Sequence, residues 1–179
     1  DTPDERLRTA GWSLRCRHKS LALQLTCKQL SQSDDGLFER REVEQVTLHD
    51  TPELATLEDG PVLELLRRYV PESVPLAPLF SQDNRRSTYM LSHSHYPRSA
   101  VELVMDRVVA EGPEALRYVE IECELKQGPA TLLSSISEVL AAQPDLSASR
   151  TSKFHRGHFN VHGSVGAVSR TRELMKPDD

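Results

Sequence analysis

Hydrophobic and polar positions alternate first between residues 12 and 19. Trp12, Leu14, Cys16 and His18 fall on one side, and Ser13, Arg15, Arg17 and Lys19 on the other. A period of two is the signature of a β-strand with unlike faces. Residues 20–29 repeat the pattern, with Leu21, Leu23, Leu25 and Cys27 against Ala22, Gln24, Thr26 and Lys28. The short connection around Ser20 predicts a hairpin whose polar face carries Arg15, Arg17 and Lys28. Residues 30–37 are polar and contain the turn pair Asp35-Gly36. A third strand is predicted from Phe38 to Leu48, with Arg40, Glu42 and Glu44 on one side.

Helical spacing is less frequent. Thr2-Pro3-Asp4-Glu5 reads as a capped start, with Thr2 as cap, Pro3 at the first helical position and Glu5 closing a capping box. That helix is expected to end near Gly11. Thr51-Pro52-Glu53 predicts a second capped helix to about Glu58. Gly60-Pro61 then restarts it, with Val62, Leu65, Leu66 and Tyr69 on one stripe. A proline-rich connection runs from Pro71 to Pro78. Weaker strand patterns follow at 85–93 and 100–109, punctuated by Pro97 and by Gly112-Pro113. Gly128-Pro129 opens a helix to about Ala142 with the stripe Leu132, Leu133, Ile136, Val139 and Leu140. Residues 150–162 are basic and contain histidine, and a polar tail begins at Gly163.

The most informative stretch is 116–127. Val119, Ile121, Cys123 and Leu125 form an apolar face, and Glu120, Glu122, Glu124 and Lys126 a fully charged one. Alternate residues of a strand stand about 7 Å apart. Two carboxylates at that distance repel by roughly 0.6 kcal/mol in water and about 2.4 kcal/mol at an effective dielectric of 20. A solvated face tolerates this, whereas an enclosed one requires cations. By itself the stretch reads first as a charged, solvated face of an open sheet.

Composition narrows the field. The chain has 179 residues and a net charge of −5, which excludes a global basic field for nucleic acid. No apolar run approaches a membrane span, and no charged-then-apolar leader opens the sequence. Cys16, Cys27 and Cys123 are odd in number and widely spaced, as expected of reduced thiols in a cytoplasmic protein rather than a disulfide framework or zinc site. His93 and His95, or His155 and His158, lack an evident third metal ligand and read as surface or loop side chains. The strand order predicts an α+β protein on one large curved or closed sheet. Clustered carboxylates suit hard divalent cations, and clustered Arg and Lys suit the phosphate oxygens such cations bridge.

The segments DTPDERLRTAGWSLRCRHK, LQLTCK, FERREVE, VELVMD, EIECELKQG and SKFHRG occur in the order seen in the CYTH superfamily. The chain resembles these triphosphate tunnel metalloenzymes from Asp1 to about Gly157. Their members include inorganic triphosphatases, thiamine triphosphatases and class IV adenylyl cyclases. The resemblance implies a closed antiparallel eight-stranded β-tunnel with a few peripheral helices, occupying residues 1–162 and followed by the tail 163–179. It implies a cytoplasmic enzyme that uses Mg²⁺ or Mn²⁺ to hydrolyse a triphosphate, inorganic triphosphate first among them. A small-molecule triphosphate is then the partner, with neither nucleic acid nor membrane, and a homodimer is an open expectation.

The same resemblance implies the roles of residues. Arg15, Arg17, Lys28, Arg40, Arg85, Lys126 and Arg156 are expected to bind substrate, with Arg86 as the alternative to Arg85. Glu120, Glu122, Glu124, Asp106, Glu42 and Glu44 are expected as metal ligands, beside Glu102 on the Asp106 strand. Glu120, Glu122 and Lys153 are expected to be catalytic, and no residue stands out as general base. Two departures accompany these expectations. The family's E-x-E-x-K strand precedes the D-T-P segment and is not in this sequence, so an upstream segment is expected to supply it. Asp83 stands where relatives often carry another arginine. A cyclase making cyclic AMP and a non-catalytic polyphosphate-binding tunnel remain alternatives.

Overall fold

A computed structural model describes residues 1–19, 21–31 and 40–163. The turn at Asp35-Gly36, the connection at Ser20, the expected strand start at Phe38 and the tail from 164 onward lie outside the described residues. Helix α1 (Arg6–Thr9) leads into β1 (Trp12–Lys19), β2 (Ala22–Gln29) and β3 (Glu42–Thr47). Helix α2 (Pro61–Tyr69) follows, then β4 (Gln82–His93), β5 (Tyr96–Ala110), β6 (Leu116–Gln127), α3 (Thr131–Ala141) and α4 (Lys153–His162).

Strands β1-β2-β3 form one antiparallel sheet and β4-β5-β6 another. This corrects the expected eight-stranded closed tunnel: the described residues hold six strands, and no ladder joins one sheet to the other. Between β3 and β4 the chain passes through α2 and a segment with Pro71, Pro75 and Pro78. That segment exchanges hydrogen bonds with Asp1 at Ala77 but belongs to neither ladder, and its prolines lack the N–H that a ladder uses.

In the first sheet β1 and β2 pair in the expected hairpin register, with Arg15 opposite Thr26 and Cys16 opposite Leu25. Its apolar face buries Trp12, Leu23, Leu25 and Cys27 against Leu7 of α1 and Val62, Leu63 and Leu66 of α2. Each such aliphatic side chain contributes about 1.5–3 kcal/mol on burial. The opposite face is left to Ser13, Arg15, Arg17, Gln24, Thr26, Lys28, Glu42 and Glu44.

Local capping departs from the sequence reading in two places. Glu5 takes a left-handed conformation at φ 55°, and its carboxylate does not close a capping box. Asp1 does that work: its carboxylate accepts from the N–H of Leu7 and of Arg8, each at 2.9 Å. The Thr2 hydroxyl oxygen also accepts from Arg6 N–H at 3.0 Å. Residues 51–58 form turns instead of a helix. Helix α2 starts only at Pro61, where Gln45 from β3 accepts from Val62 N–H at 3.2 Å and Leu63 N–H at 3.3 Å. A side chain distant in sequence thus satisfies donors that a local cap otherwise takes.

In the second sheet, even-numbered residues share one face. The register sets Arg86 opposite Asp106 and Asp106 opposite Glu120, with Thr88, Val104 and Glu122 as the next row. On β5 that face is the buried one, with Val104, Asp106, Val108 and Ala110 all at most 3% exposed. Pro97, expected to separate elements, lies inside β5. Helix α3 buries Leu132 beside Gly128 and borders the cleft with Leu133, Ile136 and Leu140, while Val139 of its predicted stripe is 64% exposed. Helix α4 was not anticipated. Its N-terminus is capped by the Ser152 side chain, which accepts from His155 N–H. Asn160 fastens its far end, donating to the carbonyls of Glu111 at 3.3 Å and Glu114 at 3.0 Å.

Candidate functional site

The polar face of the first sheet, the even face of the second and helix α4 line one open cleft of about 4180 Å³. Pockets that enclose a small ligand closely measure roughly 300–1,000 Å³. This one is a broad groove that admits ligand and water together.

Its centre is a cluster on the second sheet. Lys153 Nζ lies 2.7 Å from Asp106 Oδ2, 2.8 Å from Glu120 Oε2 and 2.8 Å from Glu122 Oε1. Arg86 grips Asp106 with two parallel bonds, Nε to Oδ1 at 2.8 Å and Nη2 to Oδ2 at 2.7 Å. The same Nη2 lies 3.5 Å from Glu122 Oε2. Arg156 pairs with Glu120 and rests over the Tyr118 ring, 4.2 Å from its centroid. Asp106 has no solvent exposure and Glu120 only 11%. Three carboxylates therefore meet three cations, and the cluster is formally neutral.

Electrostatics follow from this packing. Burial pushes the Asp106 carboxyl up, but the hydrogen bonds from Arg86 and Lys153 outweigh it and hold the group well below the usual carboxylate range. Burial pulls Lys153 down, and the charges of Glu122 and Glu120 with the Asp106 bond reverse that, leaving it above the ordinary lysine value. Burial raises Tyr118. The Asp106 hydrogen bonds raise Arg86.

The facing wall is basic. Lys28 Nζ pairs with Glu42 at 2.6 Å, and the Thr26 hydroxyl donates to Glu44 at 3.1 Å. Arg15 Nη2 donates to Thr26 Oγ1 at 3.4 Å, its one hydrogen bond among the described residues. Neither Arg15 nor Arg17 has a carboxylate within 4 Å among those residues. Burial lowers the Arg15 pKa, and repulsion from neighbouring Arg17 adds to it. The Arg15 Nε is buried and unpaired. Two neighbouring guanidinium groups outside any ion pair among the described residues, with Glu42 and Glu44 acting on Arg15 only from beyond 4 Å, describe a wall that can take an anion.

Residues 1–158 match the CYTH domain family. The chain belongs to that family. A curated relative, "Inorganic triphosphatase" of Haemophilus influenzae, is 31% identical over 161 residues, which is 89% of this chain. The chain spans 44% of that relative's length.

Within this CYTH domain, Arg15, Arg17, Lys28, Arg40, Lys126, Lys153 and Arg156 all line the cleft. So do Glu42, Glu44, Glu102, Glu120, Glu122 and Glu124. Arg85 does not. It stands opposite Arg107 on the other face, and Arg86 is the arginine of β4 that turns inward. The reason is register: side chains of one face recur every second residue, and Arg86 shares its row with Asp106.

The six expected metal ligands do not assemble. Asp106, Glu120 and Glu122 are drawn onto Lys153, whereas Glu124 pairs with Lys126 at 2.8 Å. Lys126 also lies 3.6 Å from Glu102. Glu42 and Glu44 are occupied by Lys28, Thr26 and Gln24 on the opposite wall. Among the described residues no group of three or more His, Cys, Asp or Glu side chains is disposed to hold a metal ion. The oxygen donors suit Mg²⁺ or Mn²⁺ chemically, but in this arrangement they are spent on Lys and Arg. His93 and His95, both exposed, meet edge to face with centroids 5.4 Å apart at the turn between β4 and β5.

Two contributors were missed in the sequence. Tyr118 supports Arg156, and its signal was parity: it lies two residues before Glu120 on the charged face. Helix α4 delivers Lys153 and Arg156 together, and Ser152 followed by a basic run was its start signal.

Proposed function

We propose that this CYTH domain hydrolyses a triphosphate, with inorganic triphosphate converted to pyrophosphate and phosphate as the first candidate. The observation that carries the reading is the neighbouring Arg15 and Arg17, outside any ion pair among the described residues, facing a cluster of Arg86, Lys153 and Arg156 across one cleft. Family membership and the relative's name support the same chemistry.

In this reading Arg15 and Arg17 bind phosphate oxygens from one wall, with Lys28 and Arg40 beside them. Arg86, Arg156 and Lys153 approach from the other, and Lys126 lies at the mouth. Fixed cations placed before the reaction stabilise charge that builds on the transferring phosphoryl group. Water attacks the terminal phosphorus, the bond to the bridging oxygen breaks, and pyrophosphate leaves. Mg²⁺ or Mn²⁺ is proposed as the accompanying cation, with no step assigned to it. The thiols of Cys16, Cys27 and Cys123 are unpaired, which fits a reducing compartment, and the cytoplasm is the proposed setting. No helix among the described residues is long and apolar enough to cross a membrane.

The test is phosphate release from inorganic triphosphate by the full-length protein with Mg²⁺ or Mn²⁺. Turnover supports the reading. Failure with every triphosphate overturns it, and cyclic AMP formed from ATP transfers the site to the cyclase reaction.

A further inference from the structure

The acid cluster on the second sheet is balanced in charge without a metal. Lys153 Nζ occupies the point where oxygens of Asp106, Glu120 and Glu122 converge, all within 2.8 Å. Arg86 and Arg156 complete the set, so three negative charges meet three positive ones. A divalent ion added here has to displace Lys153, and with Arg86 and Arg156 still in place it leaves a net charge of +1 beside the fully buried Asp106 and the 11% exposed Glu120. Burying such uncompensated charge is strongly unfavourable. A polyanion changes the balance, because its oxygens offer Lys153, Arg86 and Arg156 alternative partners and supply ligands of their own. Arg15 and Arg17 on the facing wall, outside any ion pair among the described residues, give that polyanion a place to land.

We propose that the ligand-free protein excludes divalent cations from the Asp106–Glu120–Glu122 cluster, with the Lys153 ammonium as resident cation, and that the metal enters only as a chelate of the polyphosphate. Lys153 then exchanges carboxylate oxygens for phosphate oxygens as the chelate binds. The metal is thus part of the substrate and not a resident cofactor. The exclusion rests on the cluster alone, and only the co-entry half rests on the function proposed above.

Mn²⁺ titration of the full-length protein, followed by paramagnetic resonance of the free ion, tests both halves. Without polyphosphate the wild type is expected to bind Mn²⁺ no more tightly than about 1 mM. Lys153→Met removes the resident charge and is expected to tighten Mn²⁺ binding at least tenfold, roughly, whereas Lys153→Arg gains nothing. Addition of tripolyphosphate to the wild type is expected to bring Mn²⁺ and polyphosphate onto the protein together. Tight stoichiometric Mn²⁺ binding by the ligand-free wild type overturns the exclusion, and that arm decides even where a variant fails to fold. A folded Lys153→Met protein with unchanged Mn²⁺ affinity overturns the role of Lys153. Tripolyphosphate that binds equally well without Mn²⁺ overturns co-entry. Tripolyphosphate that does not bind under any condition overturns co-entry and the functional reading alike, while the Mn²⁺ arms still decide the exclusion.

Discussion

Asp106 is the residue on which the cluster turns. It is fully buried, and both Arg86 and Lys153 depend on it. Removing one partner of a buried ion pair leaves charge without compensation, which typically destabilises by about 3–5 kcal/mol. Asp106→Ala is therefore expected to lower unfolding stability by about 3 kcal/mol in urea titration. Arg85→Ala, on the other face, is expected to shift it by less than about 0.5 kcal/mol and to leave triphosphate binding unchanged. The pH dependence has a definite sign. The folded-state pKa of Asp106 is depressed, so its contribution is present above the unfolded carboxylate value of about 4 and is lost as pH falls towards the folded value. Lys153 works with the opposite sign: its pKa is raised, so its share persists below about 10 and is lost only at more alkaline pH. Acid unfolding of Asp106→Asn is expected to show a flatter stability profile below pH 4, roughly, than the wild type. An equally steep acid limb counts against the assignment.

Helix α4 is the element through which the two halves of the site meet. Its own sequence supplies Lys153 and Arg156 one turn apart, and Ser152 caps it. Gly157 lies against the Phe80 ring so closely that a Cβ there would collide with it. At the same level Phe154 packs on Phe80 with centroids 5.7 Å apart. On the side towards α1, His158 Nε2 reaches the Glu5 carboxylate at 3.3 Å. Gly157→Ala is expected to push α4 off Phe80 and so to weaken triphosphate binding, read by calorimetry, because Lys153 and Arg156 move with the helix. Ser152→Ala loses a cap and is expected to lower stability by about 1 kcal/mol. If Gly157→Ala binds triphosphate as the parent does, α4 does not set the position of these cations.

Over the whole molecule, the two sheets divide the work. One has a basic face backed by most of the buried apolar core, and the other carries an acid face neutralised by lysine and arginine. Arg15 and Arg17 form no ion pair within 4 Å among the described residues, and Arg15 also feels the repulsion of Arg17, so losing them removes little native stabilisation. The double variant Arg15→Ala/Arg17→Ala is expected to melt within a few degrees of the wild type while losing at least tenfold, roughly, in triphosphate affinity. Because the cleft is open, that affinity is also expected to fall as salt rises from 0.05 to 0.5 M, roughly. A double variant with unchanged affinity removes the basic wall from the site.

Alternation was enough to read β1, β2 and β6, since a period of two assigns each side chain to a face without reference to any neighbour. The charged face of 116–127 and the basic face of the first hairpin were legible for the same reason, and the shared motifs carried the family. What the linear order could not contain was pairing. Whether Arg85 or Arg86 turns inward is decided by the row that β4 shares with Asp106 of β5. Whether Glu120 and Glu122 are free to hold a cation is decided by an ammonium that arrives from α4, about thirty residues later. Closure was likewise a matter of ladders between strands, and the described strands form two separate sheets. Local pattern specifies which side of an element a charge occupies; only the packed chain specifies which opposite charge meets it there, because Coulomb energy depends on distance in space and not on separation in sequence.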